Sequence, residues 1–74
     1  MTFRRGIYRH SKTGNLYRVI GTAWYSETLE EFALYEALYK NKTSKLWIRP
    51  LAMFLEEVEI DHARVPRFRF LKNE

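Results

Sequence analysis

Hydrophobic and polar residues alternate along most of this chain with a period of two, the repeat of a strand that has one buried and one wet face. Ile7 to His10 and Leu16 to Tyr25 carry the pattern in Tyr, Val and Ile. Between them, Ser11-Lys12-Thr13-Gly14-Asn15 supplies the Gly and Asn that a tight hairpin loop needs for positive φ. Gly21 and Ala23 are small, which predicts a bulge or sharp bend in the second strand. Residues 28–39 read two ways. Thr28-Leu29-Glu30-Glu31 fits a capping box and is followed by residues of helical composition. Yet Phe32, Leu34 and Leu38 share one face at period two, and Ala33, Tyr35, Ala37 and Tyr39 share the other, which favours a strand over the helical alternative. Lys40 to Lys45 is a polar turn, Leu46 to Arg49 a short strand stopped by Pro50, and Leu51 to Phe54 one helical turn with proline at its start. Leu55 to Ile60 and Pro66 to Phe70 are the last strands, joined by a turn at Asp61-His62-Ala63. The pattern predicts a mainly β chain: a small barrel or roll of five or six short antiparallel strands, with one short helical turn near residues 50–54.

Composition shows how such a fold would be held. The 74 residues amount to one domain, 1–74, of which 46% is hydrophobic and 16% aromatic, with no cysteine. A domain of this size buries only about 60% of its unfolded surface, so rings must close the core by packing where disulfides cannot. No apolar run approaches the roughly 20 residues that span a bilayer, and Met1-Thr2-Phe3-Arg4-Arg5-Gly6 leads straight into patterned sequence, so the expectation is a soluble, cytoplasmic protein without a membrane partner. The net charge of +4 is spread in blocks. Arg4, Arg5, Arg9, Lys12 and Arg18 precede Glu27, Glu30, Glu31 and Glu36; a basic block from Lys40 to Arg49, an acidic one from Glu56 to Asp61 and a basic one from Arg64 to Lys72 follow. In an antiparallel meander such blocks lie side by side and can pair across strands.

Several segments together resemble a small bacterial family of unknown function: Gly6-Ile7-Tyr8-Arg9-His10, Gly14-Asn15-Leu16-Tyr17-Arg18-Val19-Ile20-Gly21 and Ser26-Glu27-Thr28-Leu29-Glu30, then Tyr35, Leu38-Tyr39, Leu46-Trp47-Ile48-Arg49-Pro50, Met53-Phe54 and Val65-Pro66-Arg67-Phe68. The resemblance covers nearly the whole chain and implies a single SH3-type barrel domain with no established activity and no catalytic residues to carry over. Trp24-Tyr25 departs from the family's pattern, where a basic residue and a histidine are usual, and His62-Ala63 replaces a turn glycine.

The chemistry in the sequence points away from catalysis. His10-Ser11 has the residue types of a nucleophile and its base, but neighbours on a strand point to opposite faces. Glu27, Glu30 and Glu31 offer carboxylates without a buried site to separate their pKa values. His10 and His62 lack metal-ligand spacing, and Gly6, Gly14 and Gly21 form no phosphate loop, so neither a metal nor a cofactor is expected. Binding is better supported, because aromatics and arginines interleave at Tyr8-Arg9, Tyr17-Arg18, Trp47-Ile48-Arg49 and Arg67-Phe68-Arg69-Phe70. Trp47 and Arg49 share one strand face, and if Leu46 and Ile48 fill the core they are exposed together beside an edge that Pro50 keeps open. In the alternative, Trp47 packs across strands on Tyr35. The expectation is a non-enzymatic module centred on Trp47 and Arg49, with Tyr8, Tyr35 and Arg67, for an anionic or extended ligand such as single-stranded nucleic acid or a peptide lying between Tyr8, Tyr39 and Trp47. A homodimer formed through the same aromatics is the second reading, against a monomer. A small hydrolase using His10 with Glu27 or Glu30 is the third.

Overall fold

Period-two alternation becomes seven strands in the computed structural model, which describes residues 3–73. They are β1 (Gly6–His10), β2 (Leu16–Trp24), β3 (Glu31–Ala37), β4 (Leu46–Pro50), β5 (Glu57–Ile60), β6 (Ala63–Pro66) and β7 (Phe68–Lys72), with one helical turn, α1 (Leu51–Phe54), between β4 and β5. Met1, Thr2 and Glu74, the ends of the expected 1–74 domain, lie outside the described residues.

The loops form where their residues permit. Gly14, at φ 80°, closes the β1–β2 hairpin, and its N–H donates to His10 O at 2.8 Å. In β2 the register with β3 slips between Val19 and Gly21, the bulge expected of the small residues there. Thr28 to Glu31 builds a turn, not a capped helix. Leu29 takes φ 63° and its N–H donates to Tyr25 O at 2.7 Å, while Thr28 Oγ1 accepts from Glu30 N–H. At the β5–β6 hairpin both Asp61 and His62 take positive φ, 51° and 67°, as a type I′ turn requires. The closing strand foreseen as one piece is two: Arg67 N–H still follows the β5–β6 register and donates to Glu56 O at 2.9 Å, while Arg67 O accepts from Ser11 N–H at 2.9 Å, so the chain changes partner from β5 to β1 at this residue.

Five strands form an antiparallel sheet in the order β4-β3-β2-β1-β7, and β5 and β6 form a separate pair. The mainly β, antiparallel expectation and the helical turn near 50–54 hold. The sheet does not close into a barrel: β4 and β7 remain its edges. The reason lies partly in β4. Ala37 N–H donates to Lys45 O, which fixes the alternation so that Trp47 and Arg49 bond to β3 while the backbone groups of Leu46 and Ile48 face the open edge. Ser44 Oγ donates to Leu46 O at 2.8 Å and accepts from Leu46 N–H at 3.2 Å, and Pro50 has no N–H. Both ends of that edge are thereby closed to further pairing, the opposite of the open edge read from Pro50.

One face of the sheet holds the core: Tyr8, Tyr17, Val19, Ala33, Tyr35, Ala37 and Phe68, with Phe54 of α1 laid upon them. Phe54, only 1% exposed, stacks on Phe68 with ring centres 4.0 Å apart and meets the rings of Tyr8 at 5.4 Å and Tyr35 at 5.3 Å. Ala33 and Ala37 on either side of Tyr35 leave the room these rings occupy. The Tyr17 hydroxyl lies 3.0 Å from that of Tyr39; burial, then this bond, pushes the Tyr17 pKa up to about 12.

Candidate basic and aromatic binding face

The face of β4 that meets the core is the reverse of the one the alternation suggested. Leu46 and Ile48 are 54% and 59% exposed, while Trp47 and Arg49 turn inward and are half-buried. Across β3, Trp47 pairs with Tyr35 and Arg49 with Ala33. The exposed Trp47–Arg49 surface is therefore corrected: Trp47 packs against the core cluster, and its buried Nε1–H has no acceptor among the described residues. Tyr8 and Tyr35 are core residues too. Phe54 lies against both, so the groove walled by Tyr8, Tyr39 and Trp47 is filled.

Arg49 is held inside this aromatic frame. Its Nε donates to Tyr35 Oη at 3.4 Å and its guanidinium lies 5.5 Å from the centre of the Phe68 ring, a cation–π distance. No carboxylate pairs with it among the described residues. The same Phe68 ring meets His10 nearly at right angles, with ring centres 4.9 Å apart. His10 Nδ1 accepts from the N–H groups of Lys12 at 3.3 Å and Thr13 at 3.4 Å, so the neutral ring carries its proton on Nε2. Burial first, then the positive charges of Arg49, Arg67 and Lys12, lower the His10 pKa. Arg67 donates through Nη2 to Glu56 Oε1 at 2.9 Å, while its buried Nε has no acceptor.

Sequence reasoning named Arg49 and Arg67, and the fold brings them together beside His10, a residue set aside with the hydrolase. That signal lay in long-range pairing, since His10 meets Phe68 only through the β1–β7 register. A second basic feature follows from the same register, one step along the ladder and therefore on the opposite face of the sheet. Arg9 stands directly opposite Arg69, both exposed and without a carboxylate partner among the described residues, around a hollow of about 260 Å³ shared with Ser11. Like charges facing each other across a ladder destabilise it, and an anion between them would relieve that. A larger hollow of about 500 Å³ lies under the β3–β4 loop, but there Glu36 already pairs with Arg18 and Lys45.

The hydrolase arrangement is not assembled. Ser11 Oγ donates to Pro66 O, His10 Nδ1 is occupied by backbone N–H groups, and Glu27 and Glu30 lie beyond the far end of the nine-residue β2. No helix is long and apolar enough to cross a membrane among the described residues.

A family model for proteins of unknown function, DUF1653, matches residues 6–70. The crystal structure of a protein of that family from Bordetella bronchiseptica is similar to this chain at 33% identity and a TM-score of 0.90, covering 97% of this chain and 91% of that one. No curated protein matches the chain.

Proposed function

The chain belongs to the DUF1653 family, proteins of unknown function, and on that premise we propose that it is a non-enzymatic, cytoplasmic, SH3-like module that binds an extended anionic ligand, single-stranded nucleic acid held by its phosphates. One observation carries the reading: Arg49 and Arg67 converge on His10 around the Phe68 ring, with Glu56 the single carboxylate paired to either among the described residues. Two arginines brought beside a histidine and left short of counter-charge form an electropositive locus that phosphate groups satisfy. The aromatics play a different part from the one the sequence suggested. Tyr35 and Phe68 are buried and orient Arg49, so the chain's phosphates, more than its bases, would be gripped. A cysteine-free chain suits a reducing compartment.

The test is a titration with short single-stranded RNA and DNA, with a polyglutamate peptide as the comparison anion. Binding should weaken steeply with salt, and Arg49→Gln and Arg67→Gln should each weaken it by about tenfold while leaving the fold intact. An anion at this place should also raise the His10 pKa, read from its imidazole proton shifts. If no oligonucleotide moves these resonances, or if both variants bind like the parent, the reading fails. Tighter binding of the peptide would transfer it to an acidic protein partner.

A further inference from the structure

The outer surface of the sheet, opposite the aromatic core, is apolar where a solvated sheet should be polar. Ala23 of β2, Phe32 and Leu34 of β3, and Leu46 and Ile48 of β4 fall on this side in register, Leu34 opposite Ile48 and Ala23 opposite Phe32. Ala23, Phe32 and Ile48 line a shallow, nearly apolar hollow of about 170 Å³ with Trp24 and Tyr25, whose rings are themselves largely exposed. Side chains of this size on the wet face of neighbouring strands form a surface that another surface is built to cover.

The charges at its two ends say which. At one end the β2–β3 turn carries exposed Glu27 and Glu30; at the other the β3–β4 loop carries exposed Lys40, Lys42 and Lys45. β3 runs from the acidic end to the basic end. A second copy of this chain, turned about a two-fold axis lying in the interface and across the strands, sets its acidic end over the basic end of the first and the reverse, with Ile48 and Leu34 near the axis. Such self-complementarity is what a two-fold interface demands. Joining the sheets edge to edge is disfavoured, because Ser44 occupies the free backbone groups of Leu46 and Pro50 offers no donor.

We propose that two copies of this chain pair face to face through the outer surface of β2, β3 and β4, apolar in the centre and clamped at each end by acid on base. The surface is separate from the Arg49 face, so either can fail without the other.

Sedimentation velocity of the full chain from about 1 to about 100 μM tests it. The parent should sediment as a reversible dimer whose dissociation constant rises several-fold as salt screens the end contacts. Ile48→Glu, at an exposed position where the near-ultraviolet dichroism is expected to stay that of a folded chain, should raise that constant at least about tenfold; Leu46→Lys serves as a second apolar-face variant. The charges give an independent arm. Glu27→Lys with Glu30→Lys in one chain, and Lys40→Glu with Lys42→Glu in another, should each lose self-association, and an equimolar mixture should recover it as a heterodimer. A parent that stays monomeric throughout, a dimer that both apolar-face variants leave intact, or charge variants that ignore each other would overturn the proposal.

Discussion

The two faces of β4 differ by one step of a strand and behave as different materials. On the inner side, Trp47 and Arg49 are enclosed by rings; on the outer side, Leu46 and Ile48 are the most water-exposed aliphatics of that strand. Hydrophobicity does not order them, since both faces carry large apolar groups. Geometry does. Ala33 and Ala37 make the inner face of β3 concave around Tyr35, and only there is there room for the Phe54 and Phe68 stack. Rings with polar tips then suit the inner face because its rim is wet, and the hydroxyls of Tyr8 and Tyr17 reach Arg4 O and Tyr39. A core is thus chosen by complementary volume as well as by apolar character.

The sharpest way to break this comparison is to truncate one side chain on each face. Phe54→Ala should cost about 3–5 kcal/mol, against within about 0.5 kcal/mol for Ile48→Ala, in urea unfolding at submicromolar protein. Equal losses would mean that Phe54 does not close the core. Next in size is Gly6→Ala. At φ 148°, its Cβ would stand 2.5 Å from Lys72 O, so the β1–β7 end of the sheet should lose about 2 kcal/mol or more. Gly21→Ala, with nothing within 4 Å of the added atom, is the control and should cost under about 1 kcal/mol. On the outer face, Glu36→Gln removes the charge of a carboxylate that pairs with Arg18 and Lys45 from a side chain only 14% exposed, and a loss of about 1 kcal/mol is expected from the same unfolding curves.

The smallest effect concerns His10 on the inner rim. Its folded pKa lies below the unfolded value near 6.5, so the unfolded chain binds its proton more readily. Stability is full above that value and falls as pH drops through it. The urea midpoint should decline between pH 7.5 and 5.5, and His10→Gln should flatten that slope. Ligand affinity should move in the other sense, rising as the imidazole gains charge beside a phosphate.

Much of this architecture is legible in the residues themselves. Gly14 and Asn15 mark the first hairpin, Gly21 the bulge, and the alternation from Phe32 to Ala37 outweighs the helical composition of the same stretch. These signals are local and belong to backbone geometry. What the residues alone do not reveal is which parity faces inward, because a period of two separates faces without ranking them. The candidate site suffers more. Arg49 and Arg67 stand out as cations, but their meeting with His10 depends on Phe68 of the edge strand β7 lying beside His10 of β1 and within reach of Arg49 from the opposite edge, β4. The closed edge of β4 is equally hidden, since it hangs on the side chain of one loop serine.

The pairing of β1 with β7 has a consequence for how the chain is made. Tyr8 waits for Phe70, and Phe54 for Phe68, both supplied by the last strand. While the ribosome still holds those residues, β1 has one neighbour and the central ring stack lacks half of itself. Folding must therefore wait until Phe68 and Phe70 have emerged, slowed by the loop closure that joins β1 to β7, and a nascent chain halted before Phe68 would remain open to proteases and chaperones.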